Sequence, residues 1–355
     1  MIILCTMPKI VFEINPSKIK KWIMKCAELS KKFKRSGIDI FKSDVKNFPE
    51  LYNLQNLPKS EWKTKIDSVI DPYYQKIYKK MIDSKKRIEK NWRKIEDIYF
   101  EEAAKLFKHP WPKGKYKAIL SVLNGYPWSY QEKEFHIPWK DFPHIKVNYV
   151  IIHETLHILF YDFWKKHFEG ALKKDLFWDL SEILNVIIQN KEPFLTFGGM
   201  RAVPYPYHLE QYEILKKIFE KSTSMKEFCK KAIKFIKMYE KKNGDYIERL
   251  KRAKTPKVVE TLPKANQNFV NPRLKEIIIK FNIKMNPFCG EVFTKPQIKI
   301  ARKYWENNKV LHIFLKEPLK RNTEYKMELN TKDVFKFRSY KGKLLPSYVF
   351  KFKTR

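Results

Sequence analysis

The stretch VIIHETLHIL, Val150–Leu159, decides how this chain is read. On a helix, His153 and His157 stand four positions apart on one face, so their imidazoles can converge on a single metal ion. Glu154 is the next residue after the first imidazole, placed to act as general base toward a water on that metal. Its flanking and interior positions, Val150, Ile151, Ile152, Thr155, Leu156, Ile158 and Leu159, carry no charge, which predicts a buried helix around a site closed to bulk water. The competing reading is an apolar core helix whose two histidines are merely hydrogen-bonded. Burying two such rings and a carboxylate without a metal is costly.

Working outward, a third donor must come from another element. The apolar run DLFWDLSEILNVIIQN predicts a second helix over Leu176–Asn190, and it offers Glu182, with Asp179 one turn earlier as the alternative. Leu180, Ile183, Leu184, Val186 and Ile187 flank Glu182, so a metal would satisfy a carboxylate on a largely apolar helix. An exposed acid on an amphipathic face is the other reading of Glu182.

With these residues the chain resembles the zincin metallopeptidases. The metzincin pattern HExxHxxGxxH is excluded, because its Gly and His positions fall on Phe160 and Phe163. The gluzincin pattern, HExxH followed by a Glu on a second helix, is the nearer resemblance. It implies His153, His157 and Glu182 as ligands of zinc (Zn2+), Glu154 as catalytic base, and a peptide or protein substrate. Glu182 follows His157 with 24 residues between, a longer gap than thermolysin-like members show. The acidic residue expected four positions after the Glu ligand is here Val186, so its supporting role would pass to Asp179 or Asn185.

The resemblance also implies a donor for the reaction's oxyanion, and His208 is the candidate, in a group with Arg201, Tyr205, Tyr207 and Tyr212 after Gly198-Gly199. A helix-start histidine with no such role is the alternative. His167 sits near the expected helix end and is read as a cap. His109, His136, His144 and His312 lack ligand spacing and are assigned to structure or surface.

Around this centre the pattern is mostly helical. Lys9–Ile14 reads as a strand, Ser17–Lys34 as a helix opened by Pro16, and Ser60–Phe107 as helical, with Ile66, Ile70, Tyr73, Ile77, Met81 and Ile88 as its stripe and a break or kink at Pro72. Tyr116–Val122 is a strand, and Ser129–Trp139 a return strand after the Asn124-Gly125 turn. In a zincin such a pair would place an edge strand where an extended peptide can add to the sheet. Val147–His167 is helical, and a helical tail ends near Ala253.

Composition changes at Lys254–Pro272, a linker or entering strand, and beyond it the period is two: KEIIIKFNI, KVLHIFL, TEYKMEL and YVFKFKT. Asn271–Arg355 resembles the bacterial Ig-like repeats of S-layer and other surface proteins, on IIIKFNIKMNP (Ile277–Pro287), KVLHIFLKEPLKRNTEYKMEL (Lys309–Leu329) and the closing VFKFKT (Val349–Thr354). That resemblance implies a sandwich without catalytic residues. The expected fold class is therefore α+β: a mostly helical zincin-like domain with a small mixed sheet over residues 1–254, and an all-β Ig-like sandwich over residues 255–355.

The 355-residue chain carries 74 Lys and Arg against 39 Asp and Glu, a net charge of +35. Such a balance raises nucleic acid as a partner, but 63 of the basic residues are Lys and only 11 are Arg. Groove and phosphate recognition favour Arg, so a Lys-rich solvated surface is the better reading and no specific nucleic acid is expected. Cys5, Cys26, Cys229 and Cys289 lie far apart without CxxC spacing, so reduced thiols are expected. The start MIILCTMPKIVFEINP is unlike a secretory signal, and no run is long enough to span a membrane, which together predict a cytoplasmic protein. Two other functions stay open: a zincin-fold binding module stabilised by metal but without activity, and a basic nucleic-acid-binding protein.

Overall fold

In a computed structural model of the chain, residues 7–30, 40–331 and 336–355 are described. Cys5 and the start of the chain, and the last residues of the helix expected over Ser17–Lys34, lie outside them. The architecture is α+β, in two compact units: Met1–Ala202 with Leu215–Met238, and Val203–Ile214 with Tyr239–Arg355. Among the described residues no helix is long and apolar enough to cross a membrane, and Cys26, Cys229 and Cys289 are free and buried.

The first unit opens with β1 (Ile10–Glu13) and α1 (Pro16–Ser30), then α2 (Ile40–Asp44) and two short 3-10 turns. A long helix, α3 (Lys59–Arg93), and α4 (Glu96–Phe107) follow. Pro72 does not break α3, which runs through it for 35 residues. Both Pro72 and Ser68, whose carbonyl loses the proline's absent N–H, are exposed, so water takes the unpaired acceptor. On the opposite side Ile66, Ile70, Tyr74, Ile77, Met81, Ile88 and Trp92 are buried and hold the axis. Tyr74 rather than the expected Tyr73 faces the core; Tyr73 instead packs edge-on against Phe48 at 4.9 Å.

The small sheet has the order β1, β2 (Tyr116–Ser121), β4 (Glu134–Pro138), β3 (Trp128–Ser129). Here the chain departs from the expected hairpin. β4 runs parallel to β2, in the register Lys117 to Glu134 through Ser121 to Pro138, and the antiparallel partner of β4 is the two-residue edge strand β3. The connection Val122–Lys133 is long enough for the chain to cross back before pairing, which a tight turn at Asn124-Gly125 would have prevented. The opposite edge, β1, is closed by side chains. The buried Glu96 accepts from the Ile10 N–H at 2.8 Å and from Trp92 Nε1 at 3.0 Å, while Arg93 Nη2 donates to the Ile10 carbonyl at 2.8 Å.

Against this sheet packs α5 (Val147–Phe168), which also meets α6 (Lys174–Gln189) and α7 (Phe194–Gly198). Asp141 Oδ1 accepts from the Val147 N–H at 2.8 Å and so caps α5, and Lys165, Lys166 and His167 in its last turn complement the helix dipole. In the middle of α5, Thr155 Oγ1 lies 2.7 Å from the Tyr99 hydroxyl, tying α5 to α4 through a pair buried on both sides. The helical tail is α8 (Leu209–Glu220), α9 (Met225–Asn243) and α10 (Tyr246–Arg252), and the divisions between the units fall inside α8 and α9.

The second unit carries two four-stranded sheets. One orders β5 (Val258–Leu262), β7 (Glu276–Phe281), β10 (Val310–Leu315) and β9 (Ile300–Glu306); the other orders β6 (Gln267–Val270), β12 (Tyr348–Thr354), β11 (Glu324–Leu329) and β8 (Val292–Lys295). All neighbours are antiparallel except β6 and β12. Period two puts Ile277, Ile279, Leu311 and Ile313 of the first sheet into the same core as Tyr325, Met327, Phe350 and Phe352 of the second. The segment expected as a linker or entering strand, Lys254–Pro272, supplies an edge strand to each sheet.

Candidate metal centre

His153 and His157 project from one face of α5 toward Glu182 on α6, and the three form a group that could hold a metal ion. The Nε2 atoms of the two rings are 3.2 Å apart; Glu182 Oε2 lies 3.2 Å from His153 Nε2 and Oε1 lies 3.3 Å from His157 Nε2. Ligand bonds of about 2.0–2.1 Å at a tetrahedral centre would put donor atoms roughly 3.3–3.4 Å apart. The distance between the two rings, and from each ring to the nearer Glu182 oxygen, lies close to that figure, the carboxylate facing the two rings with different oxygens. Among the described residues Asp179 is not in the group.

The tautomers are set by neighbours on α6. Gln189 donates from Nε2 to the Tyr149 carbonyl at 2.9 Å, so its Oε1, 2.8 Å from His153 Nδ1, must accept from that ring. Ser181 Oγ lies 2.7 Å from His157 Nδ1 and can serve the second ring in the same way. With both protons on Nδ1, the two Nε2 lone pairs face one another across 3.2 Å, a geometry that a cation between them would satisfy. Asn185, one of the supporting residues expected, donates from Nδ2 to the His153 carbonyl at 2.9 Å, while Val186 is buried and apolar.

The charges of the cluster also act on one another. Burial opposes charge on His153, but its hydrogen bond to Glu182 and the charges of Glu182 and Glu154 outweigh this and raise its pKa. Burial would also raise Glu182, yet the two imidazoles outweigh it and hold the carboxyl well below the usual range. For His157 burial dominates and lowers the ring's pKa. Glu154 is buried beside the cluster and is pushed up to about 8 by that burial, with His153 opposing and Glu182 adding.

Sequence reasoning missed Ser181, Gln189, Tyr149 and Trp128. The first two had a signal: in LSEILNVIIQ the polar residues Ser181, Glu182, Asn185 and Gln189 recur at helical spacing in an otherwise apolar, buried run. Tyr149 stands one turn before His153, its ring 6.2 Å from the imidazole at 25°. Burial, with Glu182 and Glu154 nearby, raises its phenol, so it stays a donor. Trp128 of the edge strand stacks on His157 at 5.1 Å and 6°. Asp162, further along α5, is held by His109 Nε2 at 2.8 Å and accepts from the Tyr130 hydroxyl, so His109 has the structural role expected of it. His208 belongs to the second unit, where its ring packs against Tyr207 at 4.4 Å and Tyr205 at 5.6 Å.

No family model matches the chain, and no curated protein matches it in sequence. Among solved structures it is similar to L,D-transpeptidase 3 from Mycobacterium tuberculosis, with TM-score 0.20 and 16% identity over 27% of this chain and 37% of that one. It is similar to CopC from Methylosinus trichosporium OB3b, with TM-score 0.21 and 14% identity over 28% of this chain and 92% of that one. A third similarity is to the N-terminal part of the bacterial S-layer protein SbsC, with TM-score 0.21 and 13% identity over 96% of this chain and 69% of that one. The chain thus spans well under half of the transpeptidase it matches. Superpositions this loose leave the reading of the chain to its own residues.

Proposed function

We propose that the chain is a zinc-dependent metallopeptidase of the gluzincin type, followed by an Ig-like accessory sandwich. The observation that carries the proposal is the group of His153, His157 and Glu182, with edges of 3.2, 3.2 and 3.3 Å, next to the buried Glu154. Two imidazoles and a carboxylate are the donor set of a catalytic zinc site that keeps a fourth position open. Zinc bound there supplies Lewis acidity toward water and toward a peptide carbonyl.

The chain's own residues do the rest. Gln189 and Ser181 hold the ligand rings in place through their Nδ1 atoms. Glu154 accepts a proton at its carboxylate and returns it to the leaving amine. Tyr149, on the same helix and one turn before His153, is available as a donor for the oxyanion.

Elemental analysis of protein purified without chelator should find about one zinc per chain. Glu154→Gln should keep that zinc while hydrolysis of an unstructured protein falls by ~10²–10⁴-fold, the usual worth of general-base assistance. His153→Ala should lose both. Absence of zinc that added metal does not restore would overturn the proposal. Intact zinc with no cleavage of any peptide would replace it with a metal-stabilised binding module.

A further inference from the structure

We propose that Trp128, Tyr130, Tyr161 and Phe177 form a subsite that selects peptides carrying an aromatic side chain beside the bond to be cleaved. The proposal rests on the metallopeptidase reading, since the subsite belongs to the same centre.

The cluster starts at the metal ligands. The Trp128 indole lies parallel to the His157 ring at 5.1 Å, and Tyr161 meets that indole at 6.1 Å and 67°. Tyr161 in turn packs on Tyr130 at 4.6 Å and on Phe177 at 5.9 Å. All four are half-buried, whereas Phe160 and Trp164, on which Phe177 rests at 5.5 and 5.0 Å, are core residues. The four rings are therefore the partly open outer layer of a packed aromatic core, continuous with a ligand imidazole. Aromatic groups prefer tilted and edge-to-face contacts, which this arrangement offers to an incoming ring.

The cluster is also preorganised. The Tyr130 hydroxyl is spent on Asp162, whose other oxygen is held by His109 at 2.8 Å, and the Lys133 ammonium sits 3.8 Å above the Tyr130 ring. Tyr130 thus presents ring and not hydroxyl. The Trp128 indole N–H and the Tyr161 hydroxyl have no hydrogen-bond partner among the described residues, leaving two donors at the rim. Trp128 lies on the edge strand β3, where an extended peptide pairing with the strand would run beside these rings. A small side chain there would leave the rings wet; an aromatic one would cover them.

The test uses full-length zinc-loaded protein. Cleavage sites in a mixed peptide library, read by mass spectrometry, should be enriched in Phe, Tyr or Trp next to the cut. A matched peptide pair differing only in Phe or Ala at that position should differ by about 10–100-fold in kcat/KM. Tyr161→Ala should bring the ratio close to one, and Phe177→Leu, a gentler change, should reduce it. Independently of turnover, a phenylalanyl hydroxamate should bind more tightly than its alanyl counterpart and perturb Trp fluorescence. Cleavage without aromatic preference, or a ratio untouched by both variants, would overturn the subsite while leaving the peptidase reading standing. If no peptide is cleaved and neither hydroxamate binds, both readings fall.

Discussion

Gln189 is a residue on which the proposed metal site depends although it is not one of the three candidate ligands. Its amide is clamped by donation to the Tyr149 carbonyl, so its oxygen can only accept from His153 Nδ1. Gln189→Leu keeps the volume and removes the acceptor. Zinc affinity, measured by competition with a chromogenic chelator, should fall ~10–100-fold, the usual cost of losing such a partner. Gln189→Glu restores an acceptor and should recover most of the loss. Equal affinity in wild type and Gln189→Leu would mean that the ring is oriented by packing alone, for example by Tyr149.

At the scale of the element, strand β4 carries a pH liability under the site helix. His136 is buried, its Nδ1 has no hydrogen-bond partner among the described residues, and burial with the nearby Lys18 ammonium pushes its pKa down to about 3. In the unfolded chain the ring takes up a proton near pH 6.5. The unfolded state therefore binds more protons between these values, and stability is full above about pH 6.5 and falls as pH drops toward 3. His136→Leu removes the titrating group and the orphaned nitrogen together. Urea unfolding at pH 7.5 and 4.5 should show the wild type losing about 3 kcal/mol more than the variant over that interval. Parallel losses would show that other groups set the acid sensitivity. Helix α3 teaches the complementary lesson: an exposed Pro72 is tolerated where a stripe of buried side chains outweighs one missing hydrogen bond.

For the whole molecule, the sandwich core draws on both sheets, and all eight of its strands lie between Val258 and Thr354. Thr255–Arg355 expressed alone should give a β-type circular dichroism spectrum and unfold cooperatively. Starting instead at Asn271 removes β5 and β6, exposing the edges of β7 and β12, so that fragment should be less stable and prone to aggregate. Equal stability of the two fragments would show that these edge strands contribute nothing to the sandwich.

Sequence alone determined whatever is local in the chain. The spacing of His153 and His157 puts both on one helical face because four residues make about one turn, and period two in KEIIIKFNI and YVFKFKT sorts a strand's faces for the same covalent reason. The α+β character and the grouping of the two imidazoles with an acid on the next helix were legible on that basis. Which elements lie side by side was not. The parallel pairing of β2 with β4 joins residues 17 positions apart, and the partners Ser181, Trp128 and Gln189 meet His157 or His153 from 24 to 36 positions away. No short-range pattern encodes such meetings. They are decided when buried surfaces pack and each enclosed polar atom must find a partner.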